Sequence, residues 1–353
     1  MHIPDGYISP QTAGGLWAMM VPAWYWAGHK VKSTLSTRQA PLVAIGAAFI
    51  FVIMMFNIPV PGGTTAHAVG GTLVAVVIGP WAAVIAVTVA LVIQALFFGD
   101  GGILAIGANC FNMALALPLS GYYSYRLLSA GSRPASTRQW IAAGAGGYVG
   151  VNVAALLTAI EIGVQPGLFH SADGAALYSP YQLSESIPAM MIAHLSLIGF
   201  VEASVTALAV LYLQRTNAGI LNNFGAAGRS VSAYGPAATA GNVTGFKLRP
   251  LITGVVLLLV FAPLGLLAAG TAWGEWSPAE VGAKLGFIPE GMRRLSGIWS
   301  GIMPDYALPG QGETGFWGAV PGYLISGIVG LGLVGAIAYG AAKLLSRRAE
   351  RTG

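Results

Sequence analysis

The chain has 353 residues, 55% of them hydrophobic and only 8% charged, where a soluble domain carries roughly 25% charged residues. A mean hydropathy of +0.70 along the chain excludes both a water-soluble globular enzyme and a soluble domain hung on a single anchor. The formal net charge of +5 comes from 17 Lys and Arg scattered between apolar runs without a basic stripe, so the charge bears on membrane topology and not on nucleic acid.

The opening MHIPDGYISP is polar, bent by two prolines and free of Lys and Arg. It lacks the basic and apolar regions of a secretory signal, so the N-terminus is expected to be retained. Apolar runs follow at about 12 to 28, 41 to 58, 66 to 79, 81 to 98, 103 to 128, 140 to 163, 187 to 213, 251 to 272 and 317 to 342. Several reach the ~20 residues that a tilted membrane helix requires. The stretch from 66 to 98 breaks at Gly79-Pro80, and its first piece is short enough for a partly re-entrant segment.

These runs predict an all-α polytopic membrane protein, a seven-helix N-terminal bundle plus two C-terminal transmembrane helices. The N-terminus is expected outside and the C-terminus in the cytoplasm. In that orientation Lys30, Lys32 and Arg38, then Arg126, Arg133 and Arg138, then Arg215, Arg229, Lys247 and Arg249, then Lys343, Arg347, Arg348 and Arg351 all lie inside. Lys284, Arg293 and Arg294 are exceptions in a long, acid-balanced outer loop at about 273 to 316, of the kind that translocates regardless of charge. Between Arg215 and Lys247 the composition turns to Asn, Ala, Gly and Ser, too polar to span lipid and too small to build a core. The expected division is therefore 1–215, a linker 216–246, and 247–353. No internal repeat supports an inverted-repeat carrier. Glycine runs such as GAGGYVG at 144 to 150 allow close helix approach, within the bundle or against a partner.

The sharpest chemical feature is Met1-His2. A free amine, the deprotonated amide nitrogen of His2 and His2 Nδ1 can close a five- and a six-membered ring around one ion. Planar nitrogen coordination of this kind suits Ni(II) or Cu(II), while Zn(II) prefers a tetrahedron and Mg(II) prefers oxygen. His67, after the turn-rich IPVPGGTTAH, is a candidate for the fourth corner. Its alternative is a hydrogen-bonded histidine at a helix start, and that of His2 an exposed terminus. Asp5, Gln94, Asp100, Asn109 and Asn112 are candidates to orient the ligands, or to act as plain interhelical glue. FFGDGG at 97 to 102 reads as a tight outer turn.

Glu202, within the seventh apolar run, is a candidate proton relay or partner contact, or else a protonated or Arg-paired carboxyl. His29 and His170 read as solvated or interfacial, and His194 as packed. Cys110 is the chain's single cysteine, expected to pack as a small hydrophobe. No G-x-x-x-x-G-K-[ST], H-E-x-x-H or G-x-S-x-G occurs, which excludes a P-loop ATPase in this chain and the common hydrolase motifs.

MHIPDGYISP, PGGTTAHAVGG, the Gly79-Pro80 break, QALFFGDGG and GANCFNMA together resemble the CbiM/NikM family, the metal-specific components of energy-coupling factor transporters, over about 1 to 215. The stretch IPEGMRRLSGIW followed by MPDYALPG resembles the NikN-type small component over about 247 to 345. Its PDGLE-like motif reads Pro289-Glu290-Gly291-Met292-Arg293, with Glu for Asp and Met-Arg for Leu-Glu.

The resemblance implies a metal set of Met1, His2 and His67 and no catalytic residue. It also implies a transported Ni2+, or Co2+, with no covalently bound cofactor. The implied partners are a transmembrane coupling protein and a cytoplasmic ABC-type ATPase that hydrolyses the ATP, in a bacterial cytoplasmic membrane. Fusion of the two regions favours nickel. The alternatives are a stand-alone cation-coupled metal carrier using Glu202, and a membrane enzyme with a Lewis-acid metal. A crowded four-nitrogen set argues against the enzyme.

Overall fold

The computed structural model describes residues 1–216, 221, 248–268, 270–310 and 315–347. The expected 216–246 linker lies outside the described residues except for Thr216 and Leu221.

Each apolar run carries helix. The first is α1, Pro10–Thr34, opened by Ser9, whose Oγ accepts from Thr12 N at 3.0 Å while Pro10 presets the first turn. Then come α2, Ala40–Met54; α3, Gly71–Ile78; and α4, Pro80–Ile93. The break between α3 and α4 is Gly79 at φ 93° followed by Pro80, a left-handed residue and a missing donor at one point. A rod of α5, Ile106–Asn109, a π segment and α6, Leu117–Leu128, leads to α7, Thr137–Gly163, and the short α8, Gln165–Leu168. Next are α9, Leu183–Ala193, and α10, Gly199–Thr216, joined by another π segment, His194–Ile198. The C-terminal region holds α11, Leu248–Phe261; the short helices α12, Pro278–Leu285, and α13, Glu290–Leu295; and α14, Phe316–Arg347.

Among the described residues five helical stretches are long and apolar enough to cross a membrane: Pro80–Phe98, Thr137–Leu168, Leu183–Thr216, Leu248–Leu267 and Phe316–Ser346. Leu156, Ile160, Phe200, Leu208, Ile328 and Leu344 are large, apolar and exposed, which is where lipid replaces water as solvent.

The core centres on α2, whose residues from Ala47 to Met54 are almost all buried between α4 and α14. The C-terminal region is thereby fixed to the bundle: a Cβ on Gly330 would meet the Phe51 ring at 2.0 Å, so α14 approaches α2 as closely as a bare backbone allows. The glycines of α7 act likewise, since a Cβ on Gly146 would lie 2.5 Å from Gly121 O of α6.

One element departs from the all-α expectation. Ile58–Val60 and Thr64–Ala66 form an antiparallel hairpin in which Ile58 faces Ala66 and Val60 faces Thr64. Here β1 and β2 are these two strands. Their β-branched residues flank a Gly62-Gly63 turn with φ of 96° and 73°, the chemistry of a tight hairpin. Thr65 of β2 also bridges in parallel to Ala272, immediately before the 273–316 loop, which brings that loop to the segment carrying His67.

Candidate metal centre

The first nine residues do not trail into solvent. Met1, His2 and Ile3 are 3%, 2% and 0% exposed, and the backbone here is held by named partners. Ile3 N donates to Asn109 Oδ1 at 2.8 Å, Asn109 Nδ2 returns a bond to Ile3 O, and Gly102 N donates to the same oxygen at 2.9 Å. The Asp5 carboxylate accepts from Ile103 N, Leu104 N and Ala105 N. Burial pushes the Asp5 carboxyl above its ordinary range, and these three donors oppose the rise. The FFGDGG turn is thus the cradle of the N-terminus. A Cβ at Gly102 would meet Asp5 Oδ1 at 2.1 Å and Asp5 N at 2.3 Å.

The 273–316 loop closes the other side. A Cβ on Gly6 would meet Met292 Cα at 2.7 Å, Tyr7 Oη donates to Trp276 O at 2.9 Å, and Gly291 N donates to Leu177 O at 2.7 Å. The Pro289-Glu290-Gly291-Met292-Arg293 motif therefore packs its fully buried methionine onto the N-terminal segment, while Glu290 pairs outward with Arg293 and Arg294.

Within this enclosure the Met1 amine and the His2 amide N–H both donate to Glu275 Oε1, each at 3.0 Å. The His2 and His67 rings lie with centroids 5.1 Å apart, tilted by 35°. His67 Nδ1 stands 3.1 Å from Ala68 O; taken as the protonated nitrogen, it leaves the Nε2 lone pair free for a ligand. His2 Nδ1 is 3.0 Å from Asp100 Oδ1, yet neither ring nitrogen of this buried imidazole makes a well-aligned hydrogen bond among the described residues. Burial, reinforced by the charge of the terminal amine, lowers the His2 imidazole to about 4 and His67 well below its ordinary value, so both rings are neutral near pH 7. Neutral imidazole is the form that binds metal.

Of the five candidate orienting residues, Asp5 and Asn109 hold the main chain of the N-terminal segment and Asp100 faces His2. Gln94 lies next to Asp100, with Nε2 3.1 Å from Tyr306 Oη and 3.4 Å from Asp100 Oδ2. Asn112 points elsewhere: it donates to Glu161 Oε2 at 2.8 Å and Thr158 Oγ1 at 3.1 Å, deeper in the bundle. Gln94, Asn112 and His194 each fall in a π segment, at Gln94–Phe98, Cys110–Ala116 and His194–Ile198, where the widened turn re-aims a side chain inward. His194 is buried, with Nδ1 2.7 Å from Met190 O. Cys110 is free and buried.

Residue-by-residue reading of the sequence passes over Glu275, Tyr306 and Glu161. Glu275 and Tyr306 reach the site from more than 200 positions away, and no local pattern marks such contacts.

Among the described residues Glu202 pairs with no arginine. Its carboxylate accepts from Val69 N at 2.8 Å and from Gly70 N at 2.9 Å, capping the start of α3 where Gly70 turns at φ 75°. It thus anchors the chain two residues after His67. Glu202→Ala would leave two buried donors unpaired at a cost of about 3 kcal/mol, and the variant is expected to melt several degrees below wild type in detergent, with the glutamine variant between them. An unaltered melting curve would disprove this anchoring role.

Residues 2–220 match the family model described as the CbiM cobalt uptake substrate-specific transmembrane region. The chain belongs to the CbiM family. Residues 248–347 match the PDGLE domain, so in this CbiM-family chain the 273–316 loop that closes the N-terminal segment lies within that match. The chain is 46% identical to the fused nickel transport protein NikMN of Rhodobacter capsulatus, covering 95% of each. It is 44% identical to the probable fused nickel transport protein LarMN of Lactiplantibacillus plantarum, covering 93% of each. A crystal structure of a truncated transition metal transporter superposes with a TM-score of 0.58 at 55% identity, covering 61% of this chain and 99% of that one.

Proposed function

We propose that this CbiM-family chain captures Ni2+ at the outer face of a bacterial cytoplasmic membrane and delivers it inward as the substrate-specific subunit of an ATP-driven energy-coupling factor importer. The observation that carries this reading is the burial of a terminal amine and the His2 ring beside the His67 ring, 5.1 Å apart. The amine, the His2 amide nitrogen, His2 Nδ1 and His67 Nε2 are the four donors of a planar set. Such a set suits Ni(II) and tolerates Co(II).

The metal is substrate here and not a resident cofactor. The division into a metal-binding region 1–215, a cytoplasmic linker 216–246 and a two-helix region 247–353, with nine crossings and the N-terminus outside, belongs to the same proposal. It is supported by the alternation of Lys and Arg between apolar runs. The chain carries no P-loop motif of its own, so the proposal needs a coupling protein and an ATPase as partners. Proteoliposomes holding the chain with both partners should accumulate nickel on ATP, and those holding the chain alone should not. Uptake by the chain alone would favour a cation-coupled carrier, a reading that the employment of Glu202 as a backbone anchor already disfavours.

The pH dependence follows from which donors carry protons. With His2 lowered to about 4 and His67 also lowered, neither imidazole has a proton to displace near neutrality. The amide nitrogen must lose its own proton to bind. Nickel binding should therefore release at least one proton, with a further one from the Met1 ammonium that donates to Glu275, and affinity should fall at least about tenfold per unit as pH drops from 8 toward 5. Calorimetry in buffers of different ionisation enthalpy counts the protons, and a pH-independent dissociation constant would contradict the amide as ligand.

A further inference from the structure

Two carboxylates stand at the nitrogens assigned to the chelate. Glu275 Oε1 takes both the Met1 amine and the His2 amide N–H at 3.0 Å, and Asp100 Oδ1 lies 3.0 Å from His2 Nδ1. One ligand atom each from His2, Asp100 and Glu275 falls within 4.8 Å of the other two. Opposed nitrogen and oxygen ligands at roughly 2.1 Å from one ion are about 4.2 Å apart, so small side-chain movements would let the three share a cation.

The His2 ring is buried without a well-aligned hydrogen-bond partner at either nitrogen, so its desolvation is only partly offset by the neighbouring carboxylates. Asp100 is held in place from its other oxygen: Tyr306 Oη donates to Oδ2 at 2.6 Å, and the Tyr306 ring is stacked on Phe98 at 4.7 Å. A cavity of 340 Å³ is lined by Asp100 and Glu275 together with His67, Asp305, Thr271 and Tyr306, among others. At ~30 Å³ per water it has room for a hydrated ion.

We propose that His2, Asp100 and Glu275 form an outer capture site for a divalent cation, sharing His2 with the four-nitrogen set and built jointly by the CbiM region and the PDGLE domain. The proposal rests on the Met1, His2 and His67 reading for the ion's next position. The order follows from chemistry. Two carboxylate oxygens exchange for the water of a hydrated ion after small side-chain movements alone, whereas the amine and amide nitrogens are turned onto Glu275 and become available when that carboxylate takes the ion instead. A mixed imidazole and carboxylate set discriminates little among divalent transition ions, so selectivity belongs to the second, planar step.

Mn(II) separates the two sites, because it accepts oxygen-rich sets and does not form the planar nitrogen complex. The detergent-purified full chain is expected to bind one Mn(II), read from loss of the free-ion electron paramagnetic resonance signal. Glu275→Gln and Asp100→Asn should each weaken that binding about tenfold or more, and Glu275→Asp, which keeps the charge, should stay within about threefold of wild type. Metal-free melting curves identify any variant that fails to fold, and the Glu275→Asp comparison then decides. No Mn(II) binding by the wild type, or wild-type binding in both neutralised variants, overturns the capture site. The planar absorption band of bound Ni(II) is a separate readout: its persistence in His2→Ala and His67→Ala would overturn the four-nitrogen reading, while the Mn(II) result would still judge the capture site.

Discussion

His2→Ala, His67→Ala and a chain extended by a Gly-Ser pair ahead of Met1 are each expected to lose nickel affinity by at least ~100-fold, since even groups that merely orient a ligand are worth 10 to 100-fold. The extension is the most telling of the three. It leaves every side chain in place and converts the terminal amine into an amide, while Met1 at 3% exposure has no room for added residues. A single residue inserted between Met1 and His2 gives a different and equally specific result. The amine, two amides and the imidazole then supply four nitrogens by themselves, so nickel binding should survive that insertion and no longer depend on His67. Isothermal titration with Ni(II) across the four variants distinguishes these outcomes. Wild-type affinity in the extended chain would remove the amine from the ligand set.

The helices are legible in the sequence because lipid leaves a chain few choices: every buried backbone group must bond within its own segment, so apolar length translates into helix. The Gly79-Pro80 break is readable for a local reason, as both residues act on the backbone where they stand. The π segments are not readable. Gln94, Asn112 and His194 sit in runs that look uninterrupted, and the extra residue per turn that aims them inward depends on neighbouring helices.

The same contrast divides the candidate site. Met1 and His2 are adjacent, so their chelating potential is a property of the covalent chain. His67 can be proposed from its turn-rich setting. Glu275 and Tyr306 are brought in by a loop that crosses to β2 at Thr65 and Ala272, and nothing in TAWGEWSP or MPDYALPG marks a partner so distant in the chain. Glu202 stands out in the sequence as an expensive residue, but its partners are two backbone amides, which no sequence displays.

Gly102→Ala is expected to abolish nickel binding while leaving the bundle folded, because Gly102 acts on the site through Ile3 and Asp5 of the N-terminal segment. The added methyl would lie 2.1 Å from Asp5 Oδ1 and 2.3 Å from Asp5 N, far inside van der Waals contact, and a main-chain nitrogen cannot swing aside as a flexible side chain does. Overpacking of this kind costs ~1–3 kcal/mol where a core can adjust. Here the cheapest adjustment is to lift residues 1–6 from the FFGDGG cradle, breaking the bonds from Gly102, Ile103, Leu104 and Ala105 to Ile3 and Asp5. The amine and His2 leave with it, so an affinity loss of at least ~100-fold should accompany a modest fall in melting temperature. Gly14→Ala supplies the control: it lies in α1 with nothing within 4 Å of the new methyl, and alanine is the better helix former by about 1 kcal/mol. If Gly102→Ala binds nickel as Gly14→Ala does, the docked N-terminal segment is not what assembles the site.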